Sequence, residues 1–173
     1  MSVSVGTLPE CASTLFDPLR AVVCLTPRSY EDWADDLVAF TRGDCGGKSV
    51  GVDPVPMFEA VTGELVRQNL MPVTAGGAEE LLKFLAVGSF YEGPDPSLRE
   101  ADEVRDGCVR DVLASVGDSV EFFTNHGHAE DGPDAEFLVS GFYWNSLAVT
   151  LYDVCLIGVT PEWLLVAWRF EDA

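Results

Sequence analysis

Apolar residues recur at helical spacing through the first two thirds of this chain, and in the last third they alternate or run together as strands do. Tyr30, Trp33, Ala34, Leu37 and Val38 fall at i, i+3, i+4, i+7 and i+8, with Glu31, Asp32, Asp35 and Asp36 on the opposite arc. That pattern predicts an amphipathic helix with an apolar inner face and an acidic outer one. Pro27 before it and Gly43 after it match the residues that bound helices. A second helix is expected over residues 56–70, with Met57, Val61 and Leu65 on one side. A third is expected over 78–87 around Leu81, Leu82 and Leu85, with Thr74 as its cap. Asp95-Pro96 signals a fourth, because Asp can accept from the free amides and Pro has the helical φ already set. Its inner stripe reads Leu98, Ala101, Cys108, Val112 and Val116, and its outer face carries Glu100, Asp102, Glu103, Asp106 and Asp111.

A short strand is expected at residues 20–25, ended by Thr26-Pro27. Beyond Gly117 the segments 119–124, 135–144, 148–159 and 163–170 are rich in β-branched and aromatic residues and separated by turn-forming ones. Short connections suit antiparallel neighbours, so these read as a four-stranded meander. Helices first and strands last predict an α+β domain. Its N-terminal helices would pack on one face of a mainly antiparallel sheet formed by the C-terminal half, with Trp33, Leu37, Leu85, Val112, Val166 and Trp168 in the core. Residues 1–173 suit a single globular domain.

Composition changes the picture through charge. The 29 acidic residues against 10 basic ones leave a formal net charge of -19. Yet 47% of the chain is hydrophobic, so the acid sits on a folded body rather than a disordered tail. Such a surface repels nucleic-acid phosphates and anionic headgroups, which argues against direct nucleic-acid or membrane binding. No apolar run reaches the ~20 residues of a membrane helix. Five cysteines at 11, 24, 45, 108 and 155, with no C-x-x-C pair, fit reduced thiols, and no basic, apolar leader opens the chain. A cytoplasmic location is expected on these grounds.

Candidate chemistry is sparse. Residues 43–49, with Gly43, Gly46, Gly47, Lys48 and Ser49, come near the phosphate-cradling P-loop, but the glycine spacing is one short and a helix stands where a strand should. A Gly-rich connector is the better reading. His126-Gly127-His128, followed by Glu130, Asp131 and Asp134, is the one cluster with metal-ligand character, and its composition is also that of an ordinary polar loop. The same histidines underlie an alternative reading as a small hydrolase or metal-dependent enzyme, although no nucleophile motif accompanies them. No cofactor is expected. Asp153 interrupts an apolar run, and is expected to face solvent or to bond a neighbouring turn.

The acidity is therefore the feature with most weight. Residues 92–136 hold 13 acidic side chains and 3 arginines. Charge of this density steers encounter with a basic partner, while exposed aromatics such as Tyr91 or Tyr143 would anchor it. The expected partner-binding set is Asp32, Asp35, Asp36, Glu100, Asp102, Glu103, Asp106, Glu130, Asp131 and Asp134. A small acidic domain without a catalytic signature is similar in type to the immunity proteins that protect bacteria from their own secreted toxins. That similarity implies a basic, nuclease-like toxin as the partner; a regulatory or scaffold domain with an acidic surface is the other non-enzymatic alternative.

Overall fold

The computed structural model describes residues 4–87, 89–90 and 92–172. Among them, six strands form one antiparallel sheet in the order β2-β1-β6-β5-β4-β3. The strands are β1 (Ala21–Pro27), β2 (Lys48–Gly51), β3 (Met71–Val73), β4 (Glu121–Thr124), β5 (Tyr152–Val159) and β6 (Trp163–Glu171). The α-helices are α1 (Ala12–Leu15), α2 (Trp33–Thr41), α3 (Gly63–Asn69), α4 (Ala75–Ala86) and α5 (Glu103–Ala114). The architecture is α+β as expected. The C-terminal half supplies the long pair β5–β6 and β4, while β1, β2 and β3 come from the first half.

The helices cover both faces of the sheet, not one. Val23 and Leu25 of β1, Val154 and Leu156 of β5, and Leu165 and Ala167 of β6 point to one side. There they meet Ala12 of α1, Leu81, Leu82, Phe84 and Leu85 of α4, and Val109 and Val112 of α5. Their chain neighbours Val22, Cys24, Cys155, Ile157, Leu164, Val166 and Trp168 point to the other side, against Ala34, Leu37, Val38 and Phe40 of α2 and Val66 of α3. Strand side chains alternate between faces, so a strand apolar at every position is one buried twice. The six expected core residues pack in these two clusters, with Trp33 half-buried and stacked on Phe123 at 4.6 Å between ring centroids.

Caps and breaks set the helix boundaries. Asp32 Oδ1 accepts from the Ala34 amide, so α2 begins at Trp33 and leaves Tyr30 outside it and exposed. Thr74 Oγ1 accepts from Gly77 N, the cap expected for α4. The segment 56–70 is not one helix: a 3₁₀ turn at Val55–Met57 is followed by a bend with Ala60 at φ +43°, and Thr62 then caps α3. The helix expected from Asp95-Pro96 is likewise divided. Asp95 caps a 3₁₀ turn Pro96–Arg99, Glu100 is extended, and Asp102 caps α5 anew. Two capping aspartates seven residues apart compete for the start, and each begins its own helical segment.

Residues 135–144 do not form the expected strand. β4 pairs directly with β5, and the chain between them leaves the sheet as a 3₁₀ segment, Gly127–Asp134, and an irregular stretch that includes an isolated bridge between His126 and Trp144. Phe137, Phe142 and Trp144 pack instead with Phe84, His126 and Tyr152 in a ring cluster over the α4 face. Aromatic residues suit a strand only where a pleated neighbour awaits them, and here α4 offers the better partner.

Cys11 and Cys108 form a disulfide that ties α1 to α5, with 6.0 Å between their Cα atoms. This corrects the expectation of five reduced thiols; Cys24, Cys45 and Cys155 are free. Asp153 is fully buried rather than solvent-facing, and it does bond a turn. Its carboxylate accepts from Ser146 Oγ at 2.7 Å, the amides of Leu147 and Ala148, Asn125 Nδ2 at 2.9 Å and Trp168 Nε1 at 3.3 Å. Replacing Asp153 with Ala strips five donors of this acceptor, three of them on the buried residues Asn125, Leu147 and Trp168. The change is expected to cost about 3–5 kcal/mol in urea unfolding, with Asp153→Asn also destabilising because its amide presents hydrogens to donors. A loss below about 1 kcal/mol would contradict this account of the carboxylate.

Candidate functional site

Three of the ten expected partner-binding carboxylates lie at the start of α2, and the fold uses two of them, Asp32 and Asp36, locally. Asp36 is buried at 3% exposure, which corrects its placement on the outer arc. It pairs with Arg28 at 2.6 Å and accepts from the amides of Ser29 and Tyr30, while Arg28 donates onward to the carbonyls of Thr160, Tyr30 and Glu31. Asp32, besides capping α2, pairs with Arg67 of α3 at 2.6 Å. Asp35 is exposed, and its Oδ1 lies 3.1 Å from where a Cβ on Gly63 would stand, at the start of α3.

The other seven belong to the opposite face of the sheet, because α5 packs against the β1, β5 and β6 side chains that point away from α2. The two helices therefore do not present a common acidic surface. Asp102 and Asp106 form a reciprocal cap: Asp102 Oδ1 accepts from Arg105 N, and Asp106 Oδ2 accepts from Asp102 N at 3.1 Å. That amide bond is the main reason the Asp106 carboxyl titrates below its ordinary range, with Lys83 and Arg105 beside it adding to the effect. Asp106 is accordingly half-buried and paired. Glu100, Asp102 and Glu103 are exposed, as is Val104 at 84%. Arg105 folds back onto the carbonyls of Ser97 and Glu100, so its charge is spent on the turn that precedes α5.

The segment Gly127–Asp134 rests on this same side through Ala129, and Glu130, Asp131 and Asp134 are exposed along it. Arg99 donates to the Leu138 carbonyl, which fastens the following stretch to the turn Pro96–Arg99. A shallow groove runs between the two segments, lined by Glu92, Asp95, Pro96, Arg99, Leu138 and Ser140. Tyr143 stands at the edge of the loop, 51% exposed, with its hydroxyl donating to Glu130. That bond holds the phenol above its usual titration range. Its ring lies close against Gly127, where a Cβ would stand 2.4 Å from a ring carbon, so a larger residue there would require the ring to move. Tyr91 lies outside the described residues.

The two histidines have different surroundings. His126 is buried among Phe84, Phe137 and Phe142, and its Nδ1 accepts from the His128 amide. Its Nε2 has no hydrogen-bond partner. Burial, with a smaller contribution from His128, lowers its pKa to about 3. His128 Nδ1 meets the Glu136 carbonyl at 3.0 Å. Among the described residues no three His, Cys, Asp or Glu side chains are grouped to share a metal. The geometry thus gives His126 the part of a neutral core ring, and the three free thiols do not join it. Sequence reasoning missed the pairing of Asp36 with Arg28 and the thiol pair Cys24 and Cys45. An acidic residue one helical turn past the N-cap, with an arginine just before the helix, was the available sign of the first.

A histidine held neutral in the fold and charged when unfolded contributes stability above its unfolded pKa, near 6.5. That contribution is lost as pH falls towards about 3. His126→Gln is therefore expected to lose markedly less stability than the parent between pH 7 and 4.5 in paired urea titrations; parallel pH profiles would refute the buried, neutral assignment. Comparison with protein-family models, with curated proteins and with solved structures finds no match to this chain.

Proposed function

We propose that this domain is a binding protein for a basic protein, and that it engages its partner through the side of the sheet covered by α4 and α5. The observation that carries the reading is the excess of unpaired carboxylate on that side. Glu100, Glu103, Asp111, Asp131 and Asp134 are exposed, and none takes part in an ion pair among the described residues. Of the cations nearby, Lys83, Arg99 and Arg105 are engaged by Asp106 or by backbone carbonyls, and Arg110 of α5 is the exposed exception. A surface whose exposed charge is predominantly negative raises encounter rates with an oppositely charged partner. Tyr143 and Val104 supply exposed apolar area beside the charge, where short-range affinity is built.

The partner class that fits is a secreted toxin of nuclease type, whose substrate groove is necessarily basic and is best blocked by an acidic, phosphate-mimicking face. On this reading the domain acts as an immunity-type inhibitor. The Cys11–Cys108 bridge shifts the compartment from the reducing cytoplasm expected from the cysteine pattern towards a setting in which disulfides persist. Among the described residues, no helix is long and apolar enough to cross a membrane.

The test is recovery of the partner from the native cell, followed by association kinetics. For the parent, the association rate is expected to fall roughly tenfold or more between low and half-molar salt. Reversing Glu100, Glu103, Asp131 and Asp134 to Lys should slow association by a similar factor, with the dissociation rate little changed. Reversing Glu31, Asp44, Glu59 and Glu64, exposed on the α2 side of the chain, should have a much smaller effect. Equal effects of the two sets, or a salt-independent rate, would defeat the assignment of the face.

A further inference from the structure

The Gly-rich connection between α2 and β2 brings Cys45 against β1, with its Sγ 3.9 Å from Cys24 Sγ. The approach is built into the backbone. Cys24 pairs across the sheet with Ser49 of β2 and Val166 of β6, which places it in the interior of the sheet. The chain entering β2 lies so close to β1 that a Cβ on Gly47 would stand 2.3 Å from the Leu25 carbonyl oxygen. Cys45 is half-buried, so one of the two sulfurs is reached from solvent while the other is sealed in the core cluster of α2. Gly43 has φ +75°, and Gly46 has nothing within 4 Å of where a Cβ would stand. The connection is thus rich in glycine, with open space beside Gly46 next to Cys45.

We propose that Cys24 and Cys45 form a redox-active thiol pair that closes to a second disulfide by exchange with a small-molecule disulfide, with Cys45 as the entry thiol. The Cys45 thiolate attacks one sulfur of the small disulfide and expels the other half as a thiolate, leaving a mixed disulfide on Cys45. Cys24 then loses its proton and attacks the Cys45 sulfur, expelling the second half. Two protein thiols are oxidised to one disulfide, one small disulfide is reduced to two thiols, and the leaving thiolates take up the two protons. The sulfurs need approach by only about 2 Å to reach bonding distance, a movement within reach of a glycine-flanked loop. Burial holds the Cys24 thiol well above the ordinary thiol range, so resolution of the mixed disulfide is the slow step. Closure would fasten the connection to β1 and fix the edge strand β2. Cys155 is fully buried on β5 and serves as the internal control.

The experiment equilibrates the native protein with oxidised glutathione, then unfolds it without reductant in the presence of an alkylating reagent and maps the peptides. The expected result is a peptide joining Cys24 to Cys45, alkylation reduced from three thiols to the single Cys155, and a Tm higher by roughly 5 °C. Cys24→Ser should trap glutathione on Cys45 as a stable mixed disulfide, and Cys45→Ser should take up none. Three alkylatable thiols in the parent after equilibration would overturn the proposal. So would a parent that stops at a glutathione adduct on Cys45, or one whose Cys24 pairs with Cys155 instead.

Discussion

Burial of β5 and β6 on both faces is the constraint from which the rest of this molecule follows. From Val154 to Val159 and from Leu164 to Phe170, every residue of the two strands is buried. At roughly 25 cal/mol per Å² of apolar surface, such a pair is stable only if both faces are covered. The chain covers one with α2 and α3 and the other with α1, α4 and α5. Helices on two faces need polar exteriors on two faces, and exposed acidic residues accordingly occur on both sides of the sheet.

Where charge enters the interior it is compensated group by group. Asp153 is surrounded by donors, Asp36 is met by Arg28, and Arg169 is held by Glu171, the Leu85 carbonyl and the ring of Phe90. Each of these joins segments distant in sequence. Arg28 links the end of β1, the start of α2 and the turn between β5 and β6. Asp153 links β5 to the turn at 146–148, to Asn125 beyond β4 and to Trp168 in β6. Removal of either partner would leave an uncompensated polar group in a low-dielectric surrounding, so these pairs specify the arrangement of their segments as well as stabilise it. The same accounting separates carboxylates spent on the fold, such as Asp32, Asp36 and Asp106, from those left exposed and unpaired, such as Glu103, Asp131 and Asp134.

The candidate surface is built by the long excursion between β4 and β5. A meander would have added another strand and an open edge. Instead the chain folds back over α4, buries Phe137 and Phe142 with His126, and carries Glu130, Asp131, Asp134 and Tyr143 outward. One substitution-sensitive contact, Tyr143 lying on Gly127, couples the exposed aromatic to the buried imidazole next to it in the chain. This loop and the core are thus parts of one packed unit.

Local chemistry was legible in the sequence because it depends on near neighbours. The caps at Thr74 and Asp95, the apolar face of α2, the strand character of β1, β4, β5 and β6, and the α+β class all rest on spacing and side-chain type. Tertiary structure decided what depends on distant partners. It turned residues 135–144 from a strand into a packed loop, since α4 rather than a neighbouring strand received their rings. It joined Cys11 to Cys108 across 97 residues, a pairing that spacing alone does not specify. Above all it placed α2 and α5 on opposite faces. Periodicity shows that a helix has an acidic arc, but only the packing of its other arc determines which way that acid faces.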